Sequence, residues 1–269
     1  MRISRDGIWR ATRTPLGPGV EHLVQTRTHI EARAWGPGAP WLIDHLPTLL
    51  GAHDDDSDFP RTGVLGEINR KTVGLRIPRS EAVWESLVPA ILEQKVTGIE
   101  ARDSFARLHR TLSDSAPSPS DGPRLLLPLD PTVVAGTPGH EFMKCNVERK
   151  RSDTIRRCAS YSRRLEEAVA MDVVPARNRL LALPGVGAWT VAEVGIRALG
   201  DADAVSVGDY HVKNWVTWNL AGKARGTDDE MLELLEPYRP HRGRAVLLIQ
   251  IGGSAPPKYG ARMSIQKRW

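Results

Sequence analysis

The chain has 269 residues, of which 41% are hydrophobic and 26% charged, and its formal net charge is +5. This composition is ordinary for a globular protein, and the mild basic excess is compatible with a polyanionic partner without requiring one. The two cysteines, Cys145 and Cys158, exclude a four-cysteine zinc site or iron–sulfur cluster made by this chain alone. No apolar run approaches the roughly 20 residues of a membrane helix, and the start lacks the apolar segment of a secretory signal. We therefore expect a cytoplasmic protein with no membrane partner.

The N-terminal part of the sequence predicts a small sheet followed by one helix. Polar and apolar residues alternate over residues 22–35, which predicts one half-buried strand, and residues 8–14 predict a shorter one. Apolar residues recur at helical spacing over residues 41–50, and Gly51 fits a C-cap. The acidic run at residues 53–56 is expected to be an exposed loop.

From residue 80 onward the pattern is helical. Ser80 is predicted to cap a helix that runs to Leu92 and is kinked by Pro89. Thr97 and Glu100 fit a capping box that opens the next helix. Further expectations, in chain order, are a surface loop at 113–123, a long basic helix at 149–170, a second capping box at 227–230, a buried helix at 245–251 and a loosely held basic tail at 258–269.

A Pro-Gly turn lies between two apolar segments in residues 180–194, which read LLALPGVGAWTVAEV. Two glycines two positions apart permit a tight hairpin between helices that no side chain obstructs. Backbone N–H groups at the start of the second helix form an anion site, for which a DNA phosphate is the obvious anion. A dinucleotide-binding turn is disfavoured, because no strand precedes the turn and a third glycine is missing. The residues expected to contact a DNA backbone are Leu183, Pro184, Gly185, Val186, Gly187 and Thr190.

The segment after the hairpin, residues 205–212, reads VSVGDYHV. Together with the hairpin, it resembles the signature of the helix-hairpin-helix DNA glycosylases, and within them the 3-methyladenine type. The resemblance covers residues 74–251, with upstream matches at 74–78 and 88–96 and a downstream match at 240–244. The N-terminal sheet region matches more loosely.

This resemblance implies an α+β fold, namely a mostly helical, two-lobed glycosylase fold with a small N-terminal antiparallel sheet domain. We expect a sheet-plus-helix domain at residues 1–72, a glycosylase domain at 73–254 and a basic tail at 255–269. The resemblance also implies a monomer that binds double-stranded DNA containing a damaged base and needs no cofactor. Hairpins of this family often hold a monovalent cation on their carbonyl groups, and no other metal is expected.

Asp209, preceded by Gly208, matches the catalytic aspartate of the family. Breaking an N-glycosidic bond builds positive charge on the deoxyribose, which a fixed carboxylate stabilises while it orients or deprotonates water. At about 4 Å and an effective dielectric of about 20, this attraction is about 4 kcal/mol, or about three decades in rate. From spacing alone, Asp209 also fits a simple N-cap of a helix that starts at Tyr210.

The resemblance places Trp189, Glu193 and Gln250 in the pocket for the damaged base. Trp189 stands where related bifunctional enzymes carry a Schiff-base lysine, so we expect no lyase activity. Its indole can stack on a cationic alkylated base, and it equally fits a core residue that packs the hairpin. Glu193 and Gln250 are polar where relatives are aromatic, which leaves the identity of the base open. Glu193 can accept a hydrogen bond from an amine or N–H edge.

Gln94 and Lys95 match the position that fills the gap left by a flipped base. Relatives of the 3-methyladenine type have an apolar wedge where this chain has Lys95. A lysine intercalates less well but can reach a phosphate or the orphan base, and it equally fits a surface lysine at a helix end.

These features predict a monofunctional DNA glycosylase that removes a damaged, alkylated base in base excision repair. One alternative is a catalytically inactive, lesion-sensing protein that kept the hairpin, which the polar pocket and Lys95 motivate. Another is an enzyme for abasic sites or mismatched adenine, against which the missing cluster cysteines argue. Release of a base would distinguish the glycosylase from the lesion-sensing protein. Activity on an adenine:8-oxoguanine duplex would favour the enzyme for abasic sites or mismatched adenine.

Overall fold

The computed structural model describes residues 1–257, so the basic tail predicted at 258–269 lies outside the described residues. The predicted α+β class is confirmed, because the described chain is mostly helical with one antiparallel sheet at its N-terminus. The described residues divide into two compact units. The first is built from Met1–Pro47 and Ile91–Ser162, and the second from Thr48–Ala90 and residues 163–257. The domain boundaries expected from the sequence stay a prediction.

The sheet has four strands in the order β1-β2-β3-β4, and each neighbouring pair is antiparallel. Their bounds are Arg2–Ser4 (β1), Gly7–Thr14 (β2), Gly17–Gln25 (β3) and Ile30–Trp35 (β4). The shorter predicted strand is β2, whereas β1 was not predicted.

The single strand expected at residues 22–35 is wrong, because this segment contains the end of β3, a turn and β4. Thr26 donates to the carbonyl of His29 from its backbone N–H at 2.9 Å and from its Oγ1 at 2.8 Å. These two bonds reverse the chain direction. The alternation of polar and apolar residues continues through the turn, so it does not reveal the reversal.

Helices form most of the rest of the described chain. In chain order they are Ala39–Leu49 (α1), Gly63–Lys71 (α2), Val83–Leu92 (α3), Gly98–Leu112 (α4), Pro131–Gly136 (α5), Gly139–Lys144 (α6), Arg149–Ser160 (α7), Ser162–Glu166 (α8), Val173–Leu181 (α9), Ala188–Val194 (α10), Val212–Ala221 (α11), Asp228–Leu235 (α12) and Arg242–Gly252 (α13). A 3-10 turn follows α8 and another follows α12, and a π turn follows α10. Among residues 1–257, no helix has the length and apolar character needed to cross a membrane.

Both predicted capping boxes are confirmed. At the start of α4, Thr97 Oγ1 accepts from the N–H of Glu100 at 3.3 Å, and the Glu100 carboxylate accepts from the N–H of Thr97 at 2.9 Å. The same reciprocal pair joins Thr227 and Glu230 at the start of α12, at 3.2 and 2.8 Å. Each box satisfies N–H groups that have no partner inside the helix. The helices expected at 41–50 and 245–251 are present as α1 and α13.

The predicted cap of α3 is wrong, because the helix begins at Val83 and not next to Ser80. Its first N–H groups donate to the carboxylate of Glu166, from Val83 at 2.9 Å and from Trp84 at 2.7 Å. Burial raises the pKa of Glu166 to about 7. Pro89 lies inside the helix, as expected. The capping side chain comes from a distant part of the chain, so no local pattern could have identified it.

The single basic helix predicted at residues 149–170 is also wrong. The segment forms α7, α8 and a 3-10 turn, and it is interrupted at Tyr161, whose N–H donates to the carbonyl of Cys158 at 3.1 Å. Arg151 is only 5% exposed and donates to the carbonyl of Leu92 at 2.6 Å. By contrast, the Arg149 side chain is 92% exposed. The segment therefore supplies both a buried anchor and exposed positive charge.

The acidic run at residues 53–56 is only partly the exposed loop that the sequence predicts. Asp55 is exposed, but the Asp54 side chain is 5% exposed and forms an ion pair with Arg244, which is 2% exposed. Asp54 also accepts from the N–H of Ile77 at 2.9 Å. The run is therefore anchored to the body of its unit by a buried ion pair.

Each unit has its own apolar core. In the first, Trp9, Ala11 and Val20 of the sheet pack with Leu127. In the second, a larger cluster joins α2, α11, α12 and α13, and its members include Leu65, Ile68, Val212, Val216, Met231, Leu235 and Leu248. Burial of one face of α11 holds this helix in place, and thereby positions the residues that immediately precede it.

Candidate functional site

The hairpin motif lies between α9 and α10, where the sequence places it. The N–H of Val186 donates to the carbonyl of Leu183 at 3.0 Å, which closes a turn with Pro184 second and Gly185 third. Gly185 has a φ of +96°, the left-handed conformation that a type II turn needs at its third position. Val186 is buried, whereas Pro184, Gly185 and Gly187 are exposed. The turn therefore presents its backbone at the surface of its unit.

A second turn, Ser206 to Asp209, carries the predicted catalytic residue. The N–H of Asp209 donates to the carbonyl of Ser206 at 3.2 Å, and Gly208 has a φ of +88°. The N–H of Gly208 donates to Oδ1 of Asp228, the first residue of α12, at 3.0 Å. The first bond closes the turn, and the second ties it to the start of α12.

Both carboxylate oxygens of Asp209 accept hydrogen bonds. Oδ1 accepts from the N–H groups of His211 at 2.7 Å and Val212 at 3.0 Å, and Oδ2 accepts from Trp189 Nε1 at 3.0 Å. Asp209 thus caps a helix, although this helix begins at Val212 and not at Tyr210. Three donors hold the carboxylate in one orientation, which is the requirement for electrostatic stabilisation of a developing cation.

Glu193 also contacts the turn that carries Asp209. Its Oε1 accepts from the hydroxyl of Ser206 at 2.5 Å, and its Oε2 lies 2.6 Å from Nη2 of Arg197. Trp189 and Glu193 are four residues apart on α10, so they lie on the same face of the helix. Helix α10 is therefore joined to the turn at two points, Trp189 to Asp209 and Glu193 to Ser206.

Two further predicted site residues, Gln250 and Thr190, differ in exposure. Gln250 is exposed near the end of α13, and within residues 1–257 no hydrogen bond joins it to Trp189 or Asp209. Thr190 is only 1% exposed, so its side chain belongs to the interior and not to the surface of the hairpin. A direct contact of the Thr190 side chain with DNA is therefore disfavoured.

Gln94 and Lys95 lie just after the end of α3. The N–H of Gln94 donates to the carbonyl of Ile91 at 3.2 Å. Lys95 is exposed and has a φ of +57°, which is uncommon for a residue with a Cβ and costs about 1 kcal/mol or more. A local strain of this kind is found at functional sites and switch regions.

Three residues at or next to this site were not predicted from the sequence. Ser206 and Arg197 hold the Glu193 carboxylate, and Tyr210, next to Asp209, is 74% exposed. The four-residue spacing from Glu193 to Arg197 on a helix was the available signal for that ion pair. Nothing in the local sequence indicates that Ser206 bonds to α10.

Comparison with known proteins finds proteins of similar sequence and fold, although no family model matches the chain. Two curated proteins, from two strains of Mycobacterium tuberculosis, are named probable bifunctional transcriptional activator/DNA repair enzyme AlkA. Each is 28% identical to this chain over 225 residues, an alignment that covers 78% of this chain. It covers 43% of the relative, so the chain spans less than half the length of these proteins.

Solved structures share the fold. A 3-methyladenine DNA-glycosylase from Archaeoglobus fulgidus has a TM-score of 0.77 at 16% identity, covering 92% of this chain and 86% of its own. An 8-oxoguanine glycosylase/lyase from Clostridium acetobutylicum, solved in complex with double-stranded DNA, has a TM-score of 0.68 at 13% identity, covering 90% and 85%. The chain therefore shares the fold of these DNA glycosylases and is similar in sequence to AlkA.

Proposed function

We propose that this chain is a monofunctional DNA N-glycosylase, which hydrolyses the bond between deoxyribose and a damaged, alkylated base flipped out of duplex DNA. The observation that carries the proposal is the fixed carboxylate of Asp209, held by two backbone N–H groups and the Trp189 indole. The fold of the chain and the names of the proteins it resembles support the same reaction.

In the proposed reaction, Asp209 stabilises the positive charge that develops on the sugar as the bond to the base breaks. Water then attacks the sugar carbon, and the carboxylate orients it or accepts its proton. The products are the released base and an abasic site. No residue has to form a covalent bond with the DNA, and no cofactor or bound cation takes part in this step.

Trp189 supports the absence of lyase activity in this proposal. A lyase needs an amine nucleophile that forms a Schiff base with the sugar, and an indole cannot do so. In this chain the indole N–H donates to Asp209, so Trp189 acts on the carboxylate as well as lining the pocket. We place Glu193 beside it in the pocket, with Gln250 contributing from α13.

We assign DNA binding to three further segments. The exposed backbone of the hairpin, Leu183 to Gly187, contacts phosphates of the lesion strand, and Gln94 and Lys95 occupy the gap left by the flipped base. The exposed arginines of α7 add attraction that does not depend on base sequence and weakens with salt. The protein acts as a monomer on its duplex.

A glycosylase screen tests the proposed function. Duplexes that each carry one alkylated, deaminated or oxidised base are incubated with the protein and then cleaved with alkali at abasic sites. We expect cleavage of a lesion strand only after alkali, and no covalent protein–DNA adduct after borohydride reduction. Strand cleavage without alkali, or a trapped adduct, would contradict the monofunctional assignment. Binding without release of any base would instead favour a lesion-sensing protein.

The hairpin contact can be tested separately by replacing Gly187 with alanine. Gly187 has an ordinary φ of −103°, and a Cβ added there meets no protein atom within 4 Å. We expect the free energy of unfolding to change by less than about 1 kcal/mol. A methyl group would still obstruct a phosphate that approaches the backbone, so affinity for duplex DNA should fall about tenfold in a binding titration.

Gly139→Ala is the matched control for this experiment. Gly139 is the first residue of α6, and a Cβ there also meets no atom within 4 Å. This variant should bind duplex DNA like the unmodified protein. If Gly187→Ala binds equally well, the hairpin does not contact the phosphates as proposed.

A further inference from the structure

The exposed side of α10 carries an unusual combination of residues. From Trp189 to Leu199 most residues are buried, and those that are not are Trp189, Glu193, Ile196 and Arg197. Their spacing places them on one face of the helix and of the turn that follows it. Trp189 contacts Asp209 at one end of this stripe. At the other end lie the carboxylate of Glu193 and the guanidinium of Arg197.

The Glu193 carboxylate is fixed but still has accepting capacity. Its side chain is 16% exposed, and Ser206 and Arg197 each engage one of its oxygens. A carboxylate has about four lone-pair positions, so each oxygen can accept a further donor. Arg197 is 45% exposed and has five N–H donors in a planar fork. The pair therefore offers a ligand both acceptors and donors, side by side.

We propose that Glu193 and Arg197 read the hydrogen-bonding edge of a guanine-type lesion bound beside Asp209. This inference rests on the proposed glycosylase function. Guanine presents two neighbouring donors, its ring N1–H and its exocyclic N2 amine, next to the O6 acceptor. The donors match the carboxylate of Glu193, and O6 matches the guanidinium of Arg197.

An adenine-type base fits this pair less well. It presents one amine and a ring nitrogen acceptor, so the carboxylate would gain one donor and face a lone pair. A site that is built to pair specific donors discriminates against a base that leaves its buried polar groups without partners. Stacking on Trp189 does not distinguish the two purines, since every base has a π-face. Selectivity therefore comes from Glu193 and Arg197.

Glu193 has a second role that the test must separate from recognition, because its bond to Ser206 also holds the turn of Asp209. Two variants achieve this separation. Glu193→Gln keeps an oxygen that accepts from Ser206 but loses the negative charge and one acceptor. Ser206→Ala removes the bond to the turn and leaves the carboxylate in place. A loss of positioning alters the release of all bases equally, whereas a loss of recognition alters the ratio between bases.

The experiment uses one sample of DNA treated with a methylating agent, which contains both 7-methylguanine and 3-methyladenine. Released bases are separated by chromatography, and each enzymatic rate is divided by the spontaneous rate of release of the same base. For the unmodified protein we expect the larger acceleration for 7-methylguanine. Glu193→Gln should lower that acceleration about tenfold or more, with 3-methyladenine changed less than about twofold. Ser206→Ala should change both bases by the same factor.

Two outcomes would overturn the inference and leave the glycosylase assignment intact. One is a larger acceleration for 3-methyladenine by the unmodified protein. The other is an equal loss for both bases in Glu193→Gln, which would make Glu193 a positioning residue only. Release of neither base in this assay, together with no release in the lesion screen, would contradict the proposed function itself. Circular dichroism of both variants verifies that they are folded.

Discussion

Replacing Asp209 with asparagine is expected to lower the rate of base release about a thousandfold. The neutral amide removes the charge that stabilises the electron-deficient sugar and cannot accept a proton from water. The loss corresponds to about 4 kcal/mol, the attraction of two unit charges at about 4 Å in a medium of effective dielectric about 20. Single-turnover rates on the best substrate of the lesion screen measure it directly.

The same substitution should leave the fold and DNA binding nearly intact. Asparagine keeps an oxygen that accepts from the N–H groups of His211 and Val212, so the start of α11 remains capped. Asp229→Asn is the control, because Asp229 is an exposed carboxylate on α12 and should retain full activity. If Asp209→Asn binds lesion DNA normally and cuts within tenfold of the unmodified protein, Asp209 is not the catalytic carboxylate.

Replacing Asp54 with asparagine is expected to give the largest loss of stability, about 3–5 kcal/mol. The substitution leaves the guanidinium of Arg244 charged and buried, with its ion-pair partner neutralised. Asparagine still accepts from the N–H of Ile77, so the change acts mainly on the charge. Urea denaturation followed by tryptophan fluorescence and circular dichroism gives the free energy of unfolding.

The double variant Asp54→Asn with Arg244→Met tests the cause of this loss. Methionine fills much of the volume of the arginine and removes the buried positive charge, so most of the stability should return. If the double variant is no more stable than Asp54→Asn alone, the unpaired charge is not what destabilises the protein. Arg61→Met is a control, because the Arg61 side chain is 48% exposed and its ion pair with Asp56 should contribute less than about 1 kcal/mol.

The features that could be predicted from the sequence are those fixed by neighbouring residues. A capping box places donor and acceptor three residues apart, and the turns at Gly185 and Gly208 depend on a left-handed backbone that glycine favours. The hairpin and both capped helices therefore lie where the sequence indicates. The contact of Trp189 with Asp209 joins two of these local features, and the resemblance to a known family placed both residues in the same site.

The features that were missed depend on partners distant in sequence. Glu166 caps α3 from a different part of the chain, and Arg244 pairs with Asp54 across 190 positions. Glutamate and arginine are usually exposed residue types. Composition and spacing therefore do not reveal that Glu166 and Arg244 make these distant contacts. The single strand predicted at residues 22–35 was wrong for another reason, because two bonds from Thr26 to the carbonyl of His29 reverse the chain without changing the hydrophobic pattern.

Asp209 is both the proposed catalytic residue and a cap at the start of α11. Catalytic activity therefore depends on the local order of this helix start. Its Oδ1 is oriented only while His211 and Val212 keep their helical positions. Fraying of that single turn would remove two of the three bonds that orient the carboxylate, leaving only the bond from Trp189, while the rest of the molecule stayed folded. Thermal inactivation would then precede global melting, and the upper working temperature of the enzyme would be set by one turn of helix.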